Sequence, residues 1–529
     1  MHGTRFWSAV LIVGVALSIG GLLAWAEQGP QYGGTLVFGA VSEQATLDAA
    51  NQFDTSGMRV MSNIFDNLVN IGPDGEPEPG LAESWDFADD LMSCVFHLRR
   101  GVKFHDGTPF NAEAVVFNFD RQMNPDNPYN QYGAWGWYHW LFEPALKSVK
   151  AVDDYTIRIE LYLPWSPLLA HLAICGTGTI SSPTAIKKWK GEIGDHPAGT
   201  GPFKLEEWIK GDHLTLVANE DYWGGRPYLD EVVIRWIPDN SVRSAALTRG
   251  EIDFMTDFGA PSYEILSAEP DINVIMAPPL NLSFMCMNMD KEPFDDILVR
   301  LAVQHAIDKE AMVASLYGKL GESLNSLVPS PEWAYHPGLK AYEYDPELSK
   351  ALLAAAGYPN GFETEILIYS EGRGYNPVGP ELAEVIQSYL AKVGISTRIT
   401  KMEWTAFSVD LQAGKHEISF YGWYGDNLDP DGFIYTFCHS SAANPPEANN
   451  VAFFRDEGVD ELIERAQAVT DVAVRRELYL RIQEIVHASA GYLCLNGTKQ
   501  PYALSTRVQN YTPNPVPWHL SFSKVWVAP

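Results

Sequence analysis

The feature that most constrains this chain is a helical stripe that stops on a glycine and runs directly into a strand. In residues 380–393, Leu382, Val385, Ile386, Tyr389, Leu390 and Val393 recur at i, i+3 and i+4 spacing, so they share one helix face. Pro380 stands at the start and Gly394 just past the end, the usual asymmetry of helix termini. Ile395–Ile399 then reads as a strand. Further helices are expected at Val299–Ile307, Val459–Val469 and Asp471–Ala488. Strands alternating with amphipathic helices require a layered α/β architecture.

The N-terminal half reads differently. Gly33-Gly34 precedes a short apolar strand, Thr35–Gly39. From residue 67 to 199 the chain is dense in turns, as at Gly72-Pro73-Asp74-Gly75 and Pro79-Gly80. Val95–Arg99 and Thr156–Leu161 alternate as half-buried strands do. Asn111 is placed to cap a helix over Ala112–Arg121. This stretch is therefore expected to be β-rich. With 529 residues the chain is long enough for two to four packed units.

The net charge of −30 argues against nucleic acid as a partner, because phosphate binding relies on Lys and Arg. Within the first 26 residues Arg5 is the one charged side chain. It is followed by an apolar run from Phe6 to Trp25 and a small-residue site, Ala24-Trp25-Ala26. This is the pattern of a cleaved signal peptide, 1–26, and places the mature protein in a periplasm; an uncleaved anchor is the alternative. The five cysteines, 94, 175, 286, 438 and 494, form no C-x-x-C pair, and most are expected to be core thiols. No H-E-x-x-H or G-x-S-x-G motif is present, so the chain is not expected to be an enzyme. No cofactor is expected.

Several motifs then occur in one order. They are Leu81-Ala-Glu-Ser-Trp85, Phe96-His-Leu-Arg-Arg-Gly-Val-Lys-Phe-His-Asp-Gly107, Gly199-Thr-Gly-Pro-Phe203, Asp221-Tyr-Trp-Gly-Gly-Arg-Pro227 and Val299-Arg-Leu-Ala-Val-Gln-His-Ala-Ile307. Together they resemble the family 5 extracytoplasmic solute-binding proteins, the peptide and nickel receptors of ABC importers. The resemblance implies a two-lobed periplasmic-binding-protein fold, a class II-type clam shell with an additional β-rich domain. Residues 33–66, 200–280 and 499–529 would form one domain, 67–199 the β-rich insertion and 281–498 the other lobe. Two chain crossings would fall near Pro279–Ser283 and Gly497–Tyr502.

Within the family the likeness is nearest to periplasmic dipeptide-binding proteins, through Glu371-Gly-Arg-Gly-Tyr-Asn-Pro377, Glu403-Trp404 and Gly422-Trp-Tyr-Gly-Asp-Asn-Leu-Asp-Pro-Asp431. It implies that Arg373 holds a ligand carboxylate and Asp426 its ammonium, with Tyr375, Trp404 and Trp423 as pocket walls. The cluster Trp135-Gly-Trp-Tyr-His-Trp140 is a candidate for the opposing wall. The chemistry is consistent. A dipeptide is a zwitterion, and enclosing it strips water from both charges, so each needs a hydrogen-bonded counter-charge. A guanidinium fork suits the carboxylate and a carboxylate suits the ammonium.

The expected partners are thus a dipeptide or short peptide and the permease subunits of an ABC importer. Sequence does not separate such delivery from signalling through a chemoreceptor, since both would read the closed form. Longer oligopeptides, glutathione or a nickel chelate are the alternative ligands within the family. The thirteen histidines show no short-spaced cluster for bare nickel. Asn427-x-Asp429-x-Asp431-Gly432 resembles the opening of a calcium loop. Its twelfth position is Cys438 where a bidentate Glu is needed, so no metal is expected.

Overall fold

The computed structural model describes residues 29–528 apart from 53, 73–75, 134–137 and 144. The expected signal segment lies outside the described residues, as do Trp135, Gly136, Trp137 and the side chain of Trp140.

The helical stripe behaves as its spacing requires. Residues Gly379–Ala391 form a helix that buries Leu382, Ala383, Ile386 and Leu390. Gly394 follows at φ +92°, a conformation that favours glycine, and leads into strand Ile395–Met402. A side chain at the facing Gly361 would strike the Gly394 carbonyl at 1.8 Å, so this turn needs its glycines. The other anticipated elements are Ala112–Met123, capped by Asn111 at 3.0 Å, and Ile297–Ala306, Glu457–Gln467 and Val472–Ala488. Part of the acidic composition goes into such ends. Asp54, Asp239, Asp296, Asp308, Asp345, Asp456 and Asp471 all accept hydrogen bonds from first-turn amides.

Three larger sheets organise the described residues. The first runs Ile272–Ala277, Gln500–Ser505, Phe254–Thr256, Thr35–Ala40, Glu231–Trp236, His213–Ala218, Phe203–Ile209. Its strand Thr35–Ala40 is parallel to both neighbours, and the other pairings are antiparallel. Between its first and second strands in the chain lies a four-stranded antiparallel sheet, Ala82–Phe87, Ser93–Leu98, Thr156–Leu161, Leu146–Asp153, with its own apolar core around Phe96, Phe110 and Ile157.

The third sheet runs Gly321–Ser323, Tyr492–Thr498, Asn281–Met287, Ile418–Tyr424, Phe362–Tyr369, Ile395–Met402. Its strand Asn281–Met287 is buried at every residue, as a strand covered on both faces must be. The chain passes between the first and third sheets twice. One passage is residues 278–280 and the other is Lys499 alone. Asn281 ties the passages together: its side chain donates to the Thr498 carbonyl and accepts from the Thr498 amide, both at 2.8 Å. Gly497 is needed here because a side chain would meet the Pro279 ring at 2.7 Å. The result is two lobes, each with its own sheet and core, meeting along a seam. All five cysteines are buried free thiols, and burial pushes Cys94, Cys175 and Cys494 up to about 12.

Candidate functional site between the lobes

Three parallel strands, Phe362–Tyr369, Ile395–Met402 and Ile418–Tyr424, end on the same edge of the third sheet. Just past or at these ends stand Arg373 and Tyr375 on a loop, Trp404 as the first residue of helix Trp404–Gln412, and Trp423 in the last strand with Asp426 after it. In open α/β sheets the carboxyl ends of strands are where ligands bind, because the diverging loops leave a crevice there.

The Gly-rich loop is a tight turn: Arg373 and Asn376 exchange backbone hydrogen bonds of 2.9 and 2.8 Å. Asn376 anchors it from below, donating to the Tyr369 hydroxyl at 2.8 Å and accepting from the Tyr317 hydroxyl at 2.5 Å. The turn lays the Arg373 guanidinium over the Trp404 ring at 3.9 Å. Trp404 in turn lies parallel to Tyr421, with ring centres 6.3 Å apart. Tyr375 packs edge-on to Tyr421 and Tyr424. Gly374 lets the turn approach closely, since a side chain there would meet the Tyr424 hydroxyl at 2.0 Å. Arg373 Nε and the Tyr375 hydroxyl are enclosed without a hydrogen-bond partner among the described residues. Such groups are rare unless something else is to satisfy them.

Asp426 sits at the seam. It accepts a hydrogen bond from Trp423 Nε1 at 3.3 Å, and burial pushes its carboxyl up to about 7 against that bond. It lines two small cavities of about 10 and 20 Å³. Residues of both lobes wall them: His171 and Ile174 on one side of the first, Asn514 and Trp518 on one side of the second. Neither exceeds the room for about one water molecule, so a larger solute does not fit in either as they stand. Arg373, Tyr375 and Trp404 thus form one cluster and Trp423 with Asp426 a second. Tyr421 joins them by packing against Tyr375, Trp404 and Trp423.

The facing residues were not legible in the sequence. His171 accepts a hydrogen bond across the seam from Asn427 Nδ2 at 3.3 Å, stacks on Trp165, and is held down to about 4 by burial, hence neutral. The Ser166 amide donates to the Gln467 carbonyl at 2.8 Å. Nearer the crossings, Arg59 pairs with Asp257, which also accepts from Gln500 at 2.6 Å. Burial works against the Asp257 charge, yet the Arg59 guanidinium holds its carboxyl down to about 2. Asp257 has a left-handed backbone, φ 56°, an uncommon conformation outside glycine. Its residue number and its neighbours carry no motif; only the fold brings residues 59, 257 and 500 together.

The calcium-like run resolves into structural roles. Asp429 places both carboxylate oxygens on Arg475 at 2.7 and 2.8 Å, and Asp431 accepts from Gln467 and the Tyr479 hydroxyl.

Known proteins share this arrangement. A family model described as "Bacterial extracellular solute-binding proteins, family 5 Middle" matches residues 76–445. A heme-binding protein A of Haemophilus influenzae is 37% identical over 466 residues, covering 85% of each chain. A dipeptide-binding protein of Escherichia coli is 34% identical over 480 residues, covering 88% of this chain and 89% of that one. Among solved structures, the ABC transporter-associated periplasmic binding protein DppA of Helicobacter pylori, in complex with the peptide STSA, superposes with a TM-score of 0.79. It is 35% identical, with 94% of this chain and 98% of that chain covered. The order of the motifs, the two-lobed fold and these matches agree, and the chain belongs to family 5 of the bacterial extracellular solute-binding proteins.

Proposed function

We propose that this protein captures short peptides, dipeptides foremost, by their charged ends in the seam between its lobes and delivers them to the permease of an ABC importer. The observation that carries this reading is the pair of opposite, unneutralised groups at the ends of neighbouring parallel strands. Arg373 lies flat on Trp404 with its Nε unpaired, and Asp426 is half-buried with no cation beside it among the described residues. In this reading Arg373 takes the peptide carboxylate, Asp426 the ammonium, and Tyr375, Trp404 and Trp423 the backbone and side chains between. A peptide that docks on the third sheet while the lobes are parted is enclosed when His171 and Ser166 return to Asn427 and Gln467.

The names of the relatives support the class of solute: one is a dipeptide-binding protein, and another holds a peptide in its solved structure. The second of these favours a longer peptide as the second reading, since STSA has four residues. The same reading assigns residues 33–66, 200–280 and 499–529 to one domain, 67–199 to a β-rich insertion and 281–498 to the second lobe. It also has residues 1–26 removed on export to the periplasm. A chemoreceptor that recognises the closed form is the further partner it admits.

Calorimetry separates these possibilities. Ala-Ala, Ala-Ala-Ala and N-acetyl-Ala-Ala are titrated into the protein and into Arg373→Ala. The dipeptide binds, its acetylated form loses about a hundredfold or more in affinity, and Arg373→Ala weakens the dipeptide at an unchanged melting temperature. Equal binding of the acetylated form removes the role assigned to Asp426. Tighter binding of the tripeptide moves the conclusion to the longer ligand.

A further inference from the structure

A groove of about 480 Å³ runs along the seam beyond Asp426, between Leu141, Leu163 and Trp165 of the first lobe and Tyr435, Glu447 and Gln467 of the second. The groove and the small cavity at Asp426 share three wall residues, Leu141, His171 and Gly432. Gly432 is the telling one. It lies in the first turn of helix Asp431–Cys438, with ordinary helical backbone, where glycine is a poorer helix former than alanine. Nothing lies within 4 Å of where its side chain would be. Neither backbone conformation nor close packing calls for a glycine there. What its lack of a side chain preserves is open space, at the boundary between the two cavities.

This space has a natural occupant. In a peptide the first side chain springs from the same Cα as the ammonium, one bond of about 1.46 Å away. A peptide whose ammonium pairs with Asp426 therefore starts its first side chain beside the small cavity that Asp426 and Gly432 both wall. The charge of the groove selects among side chains. Among the described lining residues Asp431 and Glu447 are acidic, there is no Lys or Arg, and the one histidine, His171, is neutral. Glu447 is exposed at the mouth and makes no ion pair among the described residues. Trp165 and Tyr435 supply aromatic faces, which attract cations.

We propose that Gly432 is the aperture through which the first side chain of a bound peptide enters this groove, and that the groove prefers a long basic side chain, Lys or Arg. The proposal rests on the reading of Asp426 as the ammonium site. It is tested by calorimetry of Arg-Ala, Gly-Ala and Glu-Ala against the native protein, Gly432→Leu and Glu447→Gln, with melting temperatures recorded for each. The native protein binds Arg-Ala about tenfold tighter than Gly-Ala, and Glu-Ala weakest. Gly432→Leu brings the ratio of Arg-Ala to Gly-Ala affinity close to one, and Glu447→Gln lowers it about threefold. A native protein that binds all three alike overturns the proposal and leaves the peptide reading standing. An unchanged ratio in both variants does the same. A native protein that binds none of the three removes the peptide reading and this proposal with it. Should Gly432→Leu fail to fold, the Glu447→Gln ratio and the native ranking decide.

Discussion

Asp426 and Asp429 lie three residues apart on one loop, both enclosed at the seam, and their surroundings are opposite. Asp429 has its charge met in full by the two-pronged contact with Arg475, which is itself braced by the Tyr479 hydroxyl at 3.0 Å and lies over the Trp333 ring. Asp426 has one indole N–H at 3.3 Å and no cation among the described residues. Two further buried carboxyls feel the Asp429 charge. Burial and the Asp429 charge push Asp431 up to about 6 and raise Glu332 well above the usual range. A charge met within the chain holds the chain together. A charge left unmet at a surface that opens is available to something that arrives.

The sharpest way to break this contrast is Arg475→Ala. It leaves Asp429 buried and unpaired, and is expected to cost about 3–5 kcal/mol of stability in denaturant unfolding. A loss below about 1 kcal/mol would place Asp429 in the same class as Asp426. Next comes Asp426→Asn, which keeps the shape and removes the charge. Dipeptide affinity is expected to fall about a hundredfold, while the melting temperature of the ligand-free protein holds or rises, because a desolvated carboxylate has been removed. A large drop in melting temperature with little change in affinity would reverse the assignment.

The smallest effect is on pH. The ligand ammonium needs Asp426 ionised, and in the ligand-free closed form this carboxyl protonates near 7. Affinity is therefore full above that value and falls as pH drops through it, by about tenfold between pH 8 and 6. The sign for stability is the opposite of an ion-paired carboxyl. A pKa raised above the unfolded value makes the ligand-free protein lose stability as pH climbs from about 4 to 7, as the unfolded chain ionises first. Asp257, held down to about 2, contributes stability that is lost only in strong acid. Calorimetry at both pH values on the native protein and Asp426→Asn isolates the Asp426 contribution; a pH slope that survives in the variant belongs elsewhere.

The elements of this contrast differ in how far local sequence announces them. The helix over 379–391 is written in six apolar positions and two terminal residues, and seven other helix starts in a capping aspartate, because these are contacts within a few residues. Arg373, Trp404 and Asp426 were legible through short motifs, each sitting where a strand ends. Only the resemblance singled Asp426 out from Asp429; local spacing does not, because the cation that divides them is 46 residues from Asp429, on a helix. His171 and Asn427 meet across 256 residues, and Arg59 and Asp257 across 198. Pairings at such range depend on how sheets and lobes close, which no local spacing carries.

The reciprocal grip of Asn281 on Thr498 bears on how the molecule communicates. Two separate tethers would let one half roll, slide and twist against the other. Clasped side by side, with a single residue making the return passage, they form one short ribbon, the construction that favours swinging through one angle over rolling or sliding. Under the proposed function, a membrane partner then has a scalar to read. The cargo's chemistry would reach the outside of the molecule as a position along that one coordinate, and a small and a bulky peptide would become equivalent once they set the same angle.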